Sequence, residues 1–568
     1  MTQPARPAKR WLTAPALSPE VEAALTSYHP VLRQLLFNRD NYTAAKADSF
    51  LNAKPPADDD PFRITDMSLA VERIESAIGN HEPVAVYGDY DTDGVTATAL
   101  LVQVLVTLGA DARPYIPNRF DEGYGLNNDA LDKLKGEGVK LVVTVDCGIR
   151  SAAEADHAKR IGLDLIISDH HHVGEALPAA LAVINPKREG DNYEEKFLAG
   201  VGLAYKMAQA LVRRRNPQPI NGSDVLDLVA LGTVADLAPL TGENRTLVRN
   251  GLKVLNKARR EGVKSLMQLA GVKAGAADAG TIGFVLGPRL NAAGRLESAL
   301  AAYDLLTATD VFKANQLASQ LNQQNRDRQD QTKQITAHAR EIALADDPEA
   351  PFLFAAHESY NEGVVGLAAA RLTEEFYRPA AVARIGDKDT KGSARSIKEF
   401  HITEALDSCR DLLIRHGGHA AAAGFTLANE NVAGLAERLR QYAADKLANV
   451  DLRPALRVDM NVQPGELSLE LALALRQLEP CGYGNPAPLF SAHDLEVKYP
   501  KAIGADGSHL KLYLSDGTSK VEGVAFRQAH WLKNMPNRVD VVYALELNEW
   551  QGETKLQMNV KDLRKSIV

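Results

Sequence analysis

Short apolar runs alternate with segments of helical spacing through the middle of the chain. The run at 83–87 precedes a helical stretch over 95–108, the run at 139–145 precedes one over 151–161, and further runs follow at 163–168 and 182–184. An apolar run of this length bounded by turn residues is the pattern of a strand covered on both faces, and strands alternating with helices build a parallel sheet. A second α/β unit follows, with strands over 351–356, 380–385 and 391–397, a helix over 364–376, and a helix over 402–415 that runs into Gly417-Gly418-His419. After Asp451 come short alternating strands (510–514, 541–547) and turns such as Ser515-Asp516-Gly517, the pattern of a small OB-like barrel. Residues 322–331, inside a helical stretch over 297–345, are polar all round, as in a helix that crosses solvent between two bodies. The fold class is therefore α/β. A helical lead-in (1–80) precedes a parallel-sheet catalytic domain (81–296), a connecting helix (297–345), a second α/β domain (346–450) and an OB-like nucleic-acid-binding barrel (451–568).

A chain of 568 residues exceeds one hydrophobic core, which agrees with several domains. No run approaches 18 apolar residues, so no membrane span is expected, and the N-terminal residues lead into no apolar signal segment. Cys147, Cys409 and Cys481 lie far apart without a C-x-x-C pair, which argues against a zinc ribbon or a disulfide framework and fits a reducing, cytoplasmic location. The net charge of -8 does not mark a general polyanion binder, although a local basic groove overrides a global sign.

The candidate chemistry sits at the carboxyl ends of the expected strands, where open α/β sheets bind ligands. Asp89, Asp91 and Asp93 alternate just past the first strand, Asp146 follows the second, His170 the third, and Asp236 ends an apolar helix over 225–234. Oxygen-rich ligands with one imidazole favour Mg²⁺ or Mn²⁺ over zinc, and carboxylates in excess of one ion's needs point to two ions. His171 diverges from His170 and is placed to contact phosphate or assist a leaving group, whereas His172 reads as a surface residue. Arg119, Arg289 and Arg295 suit phosphate through the guanidinium fork, the last two on an expected compact turn over 287–295. Arg119 alone reads equally as a surface arginine. Gly417-Gly418-His419 reads as an anion cradle or as a glycine helix cap, and Ser393 with Arg395 offers polar groups on a strand.

With Asp89-Tyr90-Asp91-Thr92-Asp93-Gly94, Val145-Asp146-Cys147-Gly148, Asp169-His170-His171 and Val234-Ala235-Asp236 in hand, the chain resembles the DHH phosphoesterase superfamily. Three later segments are similar to those of its RecJ-type exonucleases. They are Gly287-Pro288-Arg289-Leu290-Asn291-Ala292-Ala293-Gly294-Arg295, the glycine-rich stretch from Gly417 to Gly424, and Cys481-Gly482-Tyr483-Gly484-Asn485-Pro486. The resemblance implies a DHH domain, a long helix, a DHHA1 domain and an OB-fold. It also implies two catalytic divalent ions and 5′→3′ hydrolysis of single-stranded DNA to 5′-mononucleotides in repair and recombination. Asp89, Asp91 and Asp146 would hold one ion, and Asp93, Asp146, His170 and Asp236 the other, with Asp146 bridging. His171 would act on the scissile phosphate. Arg119, Arg289, Asn291, Arg295, Ser393, Arg395, Gly418 and His419 would bind the strand in a channel that admits no duplex. The implied partners are single-stranded DNA, a single-strand-binding protein and a helicase, with the chain itself a monomer. The alternative is a DHH phosphodiesterase of short oligonucleotides or cyclic dinucleotides. One departure from the family pattern is Asn361, where a histidine is common.

Overall fold

The computed structural model describes residues 8–119, 121–215, 218–345, 347–550 and 553–566, with 549 and 550 by backbone alone. Residues 1–7, where the expected lead-in begins, and Asp346, in the break after the long helix, lie outside them. The chain divides into two compact units, Thr13–Asn322 with Arg457–Val568, and Met1–Leu12 with Gln323–Leu456. Among the described residues no helix is long and apolar enough to cross a membrane.

The apolar runs of the larger unit become strands β1 (Val84–Gly88), β2 (Ala112–Tyr115), β3 (Leu141–Val145), β4 (Asp164–Ser168) and β5 (Ala182–Ile184), parallel in the order β2-β1-β3-β4-β5. All five residues of β1 and of β3 are buried because the sheet has a core on each face. Val84, Val86, Val143 and Ile166 feed one core, and their neighbours Ala85, Tyr87, Val142 and Ile167 feed the other. Each fully buried aliphatic side chain contributes about 1.5–3 kcal/mol relative to exposure. The alternation therefore fixes the register of the sheet edge that carries the candidate ligands.

The smaller unit has a mixed sheet of β6 (Leu353–His357), β7 (Ala380–Ile385), β8 (Asp389–Arg395), β9 (Leu413–His419) and β10 (Ala422–Ala428), in the order β9-β10-β8-β7-β6. Only β6 and β7 run parallel. Here the expected helix over 402–415 is corrected: it stops at Asp407, and Gly417-Gly418-His419 lies on the exposed edge strand β9. Pairing of Gly417, Gly418 and His419 with Gly424, Ala423 and Ala422 wins over helical spacing.

The long helical stretch over 297–345 resolves into Leu300–Thr307 and Val311–Leu344, and the division between the units falls within the second helix. Its polar middle is solvated on one side only, with Gln323, Arg326, Asp327, Gln329 and Asp330 exposed. Asn322, Gln324 and Asn325 are buried, Asn322 accepting from Arg289 and Asn325 from Arg328.

The C-terminal barrel is formed by β11 (Phe490–Ile503), β12 (His509–Ser515), β13 (Lys520–Ala525), β14 (Arg538–Trp550) and β15 (Glu553–Lys565), closed by pairing of β11 with β14. Its core includes helices from the far end of the sequence. Leu32, Leu35 and Leu36 of Pro30–Phe37, and Leu51 of Ala44–Asn52, pack with Leu512, Val541 and Tyr543. The expected lead-in is thus two things, since helix Met67–Gly79 belongs instead to the core of the parallel sheet. Arg245, in helix Gly242–Leu255, joins barrel to sheet domain. It is fully buried, and all five of its guanidinium hydrogen bonds go to backbone carbonyls, those of Phe50, Gln477, Leu478, Glu479 and Pro480.

Candidate metal centre

Three candidate ligands ride on one turn. The chain leaves β1 at Gly88 and enters helix Thr92–Thr107, capped by Asp91, whose carboxylate accepts the N–H groups of Asp93 and Gly94. Gly94 has to be glycine, because a Cβ there would stand 2.6 Å from the Asp89 backbone. The Thr92 N–H and hydroxyl both donate to Asn291 Oδ1, at 2.8 and 2.9 Å. Asn291 thereby holds the aspartate turn from outside. It does so from a helix, Gly287–Leu296, which corrects the expected compact turn over 287–295. Pro288 follows directly on a π-helical turn, Ile282–Leu286, the irregularity expected where a proline withholds its N–H inside a continuous helical run. Gly294 packs so closely that a Cβ would meet the Tyr90 carbonyl at 2.7 Å.

Asp93 is buried and accepts the Gly200 and Val201 N–H groups at 2.7 and 2.8 Å, at the positive N-terminus of helix Gly200–Arg213. Asp146 follows β3 in a left-handed conformation (φ 63°) and leans on Gly200, where a Cβ would approach its own Cβ to 2.5 Å. His170 Nε2 lies 3.0 Å from Asp146 Oδ1, 3.8 Å from Asp236 Oδ2 and 3.9 Å from Asp93 Oδ2. The donors fall into overlapping groups within 4.8 Å: Asp89, Asp91 and Asp146; Asp93, His170 and Asp236; Asp146, His170 and His171.

The charge state of this cluster calls for a cation. Among the described residues Asp89 Oδ1 is buried without a hydrogen-bond partner, and Asp146 Oδ1 and His170 Nε2, though 3.0 Å apart, are not aligned for a hydrogen bond with each other or with any other group. Burial, reinforced by the neighbouring carboxylates, pushes Asp89 and Asp146 well above the usual carboxylate range, Asp93 up to about 7 and Asp236 up to about 9. Burial also pushes His170 down to about 3, leaving a neutral ring with a lone pair to donate. Unpaired buried carboxylates are costly, and a hard divalent cation supplies both the partner and the charge. Oxygen donors with one imidazole fit Mn²⁺ or Mg²⁺.

His171 is organised differently. Asp169, which is buried, places Oδ1 2.7 Å from His171 Nδ1 and accepts the Ile149 N–H through Oδ2. Burial alone would raise the Asp169 carboxyl, but these hydrogen bonds hold it below the usual range. Burial likewise opposes charge on His171, and the Asp169 bond outweighs it, so the imidazole titrates above its ordinary value. No role for Asp169 followed from the sequence, although its place at the tip of β4 was a signal. The Gly200 and Val201 N–H groups carried none, since backbone donors a hundred residues from Asp93 leave no pattern.

Around this centre the Arg119 guanidinium lies 5.1 Å over the Tyr90 ring. Arg289 donates to Asn322 Oδ1 and the Val285 carbonyl, and half-buried Arg295 contributes positive charge near Tyr90. In the smaller unit, Arg395 Nη1 donates to Ser393 Oγ at 2.7 Å. Both side chains abut Gly366 in the first turn of helix Val365–Phe376, where a Cβ would stand 2.9 Å from Arg395 Nη2 and 3.0 Å from Ser393 Oγ. Gly418 has φ 155° and a backbone approach that a side chain would block, and exposed His419 follows it. Asn361 accepts the Gly363 N–H and donates to Gln331, a turn-forming role.

Comparison with known proteins agrees with this architecture. Residues 83–233 match the DHH family N-terminal domain, 349–445 the DHHA1 domain and 458–562 the RecJ OB domain. The single-stranded-DNA-specific exonuclease RecJ of Bacillus subtilis is 39% identical over 94% of this chain and 68% of its own length. Its counterpart in Escherichia coli is 35% identical over 94% of this chain and 96% of its own. The crystal structure of Thermus thermophilus RecJ in complex with Mn²⁺ superposes with a TM-score of 0.84 at 32% identity, covering 98% of this chain and 80% of that one. With its three matched domains, and a sheet edge whose carboxylates and histidine could hold metal ions, the chain belongs to the RecJ family of single-stranded-DNA-specific exonucleases.

Proposed function

We propose that the protein degrades single-stranded DNA from the 5′ end, releasing 5′-mononucleotides in repair and recombination. The observation that carries this is the cluster of five aspartates and His170 at the carboxyl edge of the sheet, with buried donor atoms that lack partners. Asp89, Asp91 and Asp146 would hold one Mn²⁺ or Mg²⁺, and Asp93, Asp146, His170 and Asp236 the second. Two such ions supply positive charge at the phosphate and acidify water.

The other roles belong to the chain's own groups. With Nδ1 tied to Asp169, His171 presents Nε2 to an oxygen of the scissile phosphate. Arg119, Arg289 and Arg295 receive phosphate at the 5′ end, Asn291 holds the aspartate turn toward it through Thr92, and Ser393 and Arg395 at a helix N-terminus bind a strand phosphate. Gly418 and His419 present an exposed strand edge to the DNA. On the barrel, Tyr499 is 72% exposed with Lys520 5.9 Å over its ring, a pairing suited to a stacked base and its phosphate. The protein works in the cytoplasm as a monomer alongside a single-strand-binding protein and a helicase.

Digestion of 5′- and 3′-labelled strands with Mn²⁺ tests this reading. The 5′ label is expected to leave first, as a mononucleotide, with blunt duplex resistant. Loss from the 3′ end, or rapid attack on blunt duplex, overturns it. Preference for dinucleotides or cyclic dinucleotides over long strands favours the small-substrate alternative.

A further inference from the structure

Two tyrosine rings lie in a row between groups that the proposed function assigns to phosphates. Arg119 sits 5.1 Å over Tyr90, Tyr90 is 6.2 Å from Tyr124, and Tyr124 is 6.0 Å from His171. Tyr124 meets its two neighbours at 76° and 80°, so neither ring lies flat against it, and 54% of the residue is exposed. Its loop is not a loose one. The Tyr87 hydroxyl donates to the Gly125 carbonyl at 3.0 Å, and Asn127 caps the next helix, Asn128–Gly136, through the Ala130 N–H. The Tyr124 hydroxyl points inward, 3.4 Å from His171 Nδ1 and 3.5 Å from the Asp146 carbonyl. An amphipathic ring held by its polar tip, with an open face beside a phosphate-binding histidine, has the makings of a stacking platform.

We infer that Tyr124, backed by Tyr90, is the seat of the 5′-terminal nucleobase and sets how well the enzyme engages the last nucleotide. This rests on the proposed function, in which Arg119 takes the 5′ phosphate and His171 the scissile one. The nucleoside between those two phosphates is the terminal one, and the rings stand between the same two groups. Stacking is indifferent to base identity, which suits an enzyme that must remove every nucleotide it meets. A damaged end without a base forfeits the contact.

The test is single-turnover release of the first nucleotide by the full-length protein with Mn²⁺. The substrates are 5′-phosphorylated strands ending in thymidine or in an abasic tetrahydrofuran. Wild type is expected to process the abasic end about tenfold less efficiently, the size of one base–aromatic stack. Tyr124→Ala should lose about tenfold on the normal end and no more than about twofold on the abasic end. Tyr124→Phe, which keeps the ring, should stay within about twofold of wild type on both. Equal losses on both ends for Tyr124→Ala, no loss on either, or a Tyr124→Phe defect as large as that of Tyr124→Ala overturns the assignment. Failure of the wild type to release any 5′ nucleotide would instead strike the proposed function.

Discussion

Asp169 and His171 are joined by a 2.7 Å contact from carboxylate to Nδ1, and it decides which ring nitrogen is available. An ionised carboxylate only accepts, so Nδ1 carries the hydrogen and Nε2 faces outward. Asp169→Asn is expected to lower kcat about 10–100-fold with little change in KM, the usual effect of removing a group that orients a working histidine. Isothermal titration should show Mn²⁺ binding retained. Loss of the metal instead would make Asp169 part of the metal centre.

The division of the ligand set between two ions predicts a pattern of stoichiometry. Asp91→Ala and Asp236→Ala should each lose one Mn²⁺ per chain, from different sites. Asp146→Ala should impair both, because its carboxylate groups with Asp89 and Asp91 and also contacts His170. All three should lack cleavage while retaining most strand binding. Equilibrium dialysis with a fluorescence binding assay checks this, and an Asp91 variant that keeps both ions and full activity refutes the division.

Raised carboxyl pKa values make metal binding a proton exchange. Asp93 is pushed up to about 7 and Asp236 to about 9, above the ~3.9 of an unfolded aspartate. Between those values the metal-free fold binds more protons than the unfolded chain, so its stability falls as pH rises from about 4 through 7 and toward 9. Mn²⁺ displaces the same protons. Calorimetry near pH 6.5 in buffers of different ionisation heat should therefore report net proton release, and the Tm gain from Mn²⁺ should grow between about pH 6 and 8. A gain that is flat with pH, without proton release, contradicts the charge state described here.

Arg245→Met should cost at least ~3 kcal/mol, since it leaves several buried carbonyls unpaired at once. Urea unfolding measures the loss. Limited proteolysis should show the barrel cleaved before the parallel-sheet domain. A change below about 1 kcal/mol would mean that water or neighbouring donors take over those carbonyls.

Much of this is legible in the sequence, for a physical reason. A strand covered on both faces must be apolar throughout, so Val84 to Tyr87 and Val142 to Val145 announce themselves, and the acids just beyond them stand out by contrast. Contacts between distant segments are not legible. Nothing local tells that Leu35 shares a core with Val541, or that Asn38 donates to Asp459. Gly-Gly after a helical pattern fits a cap as well as an edge strand, and only the pairing of Gly418 with Ala423 decides. Asn291 reads as a substrate ligand, while its carbonyl oxygen is engaged by Thr92.

Arg245 takes main-chain carbonyls from Gln477 to Pro480, and at Phe50 it takes both the carbonyl and the face of the ring, 4.0 Å away. A lock that reads carbonyls is indifferent to the lettering of the segments it holds. Exposed Gln477 and Glu479 are therefore free to drift in sequence without loosening the barrel, whereas Leu478, buried in the barrel core, and position 245 have almost no latitude. The joint between the domains should look variable at those two exposed positions and fixed at Arg245, and paired substitutions across it should be confined to Phe50, whose ring Arg245 covers.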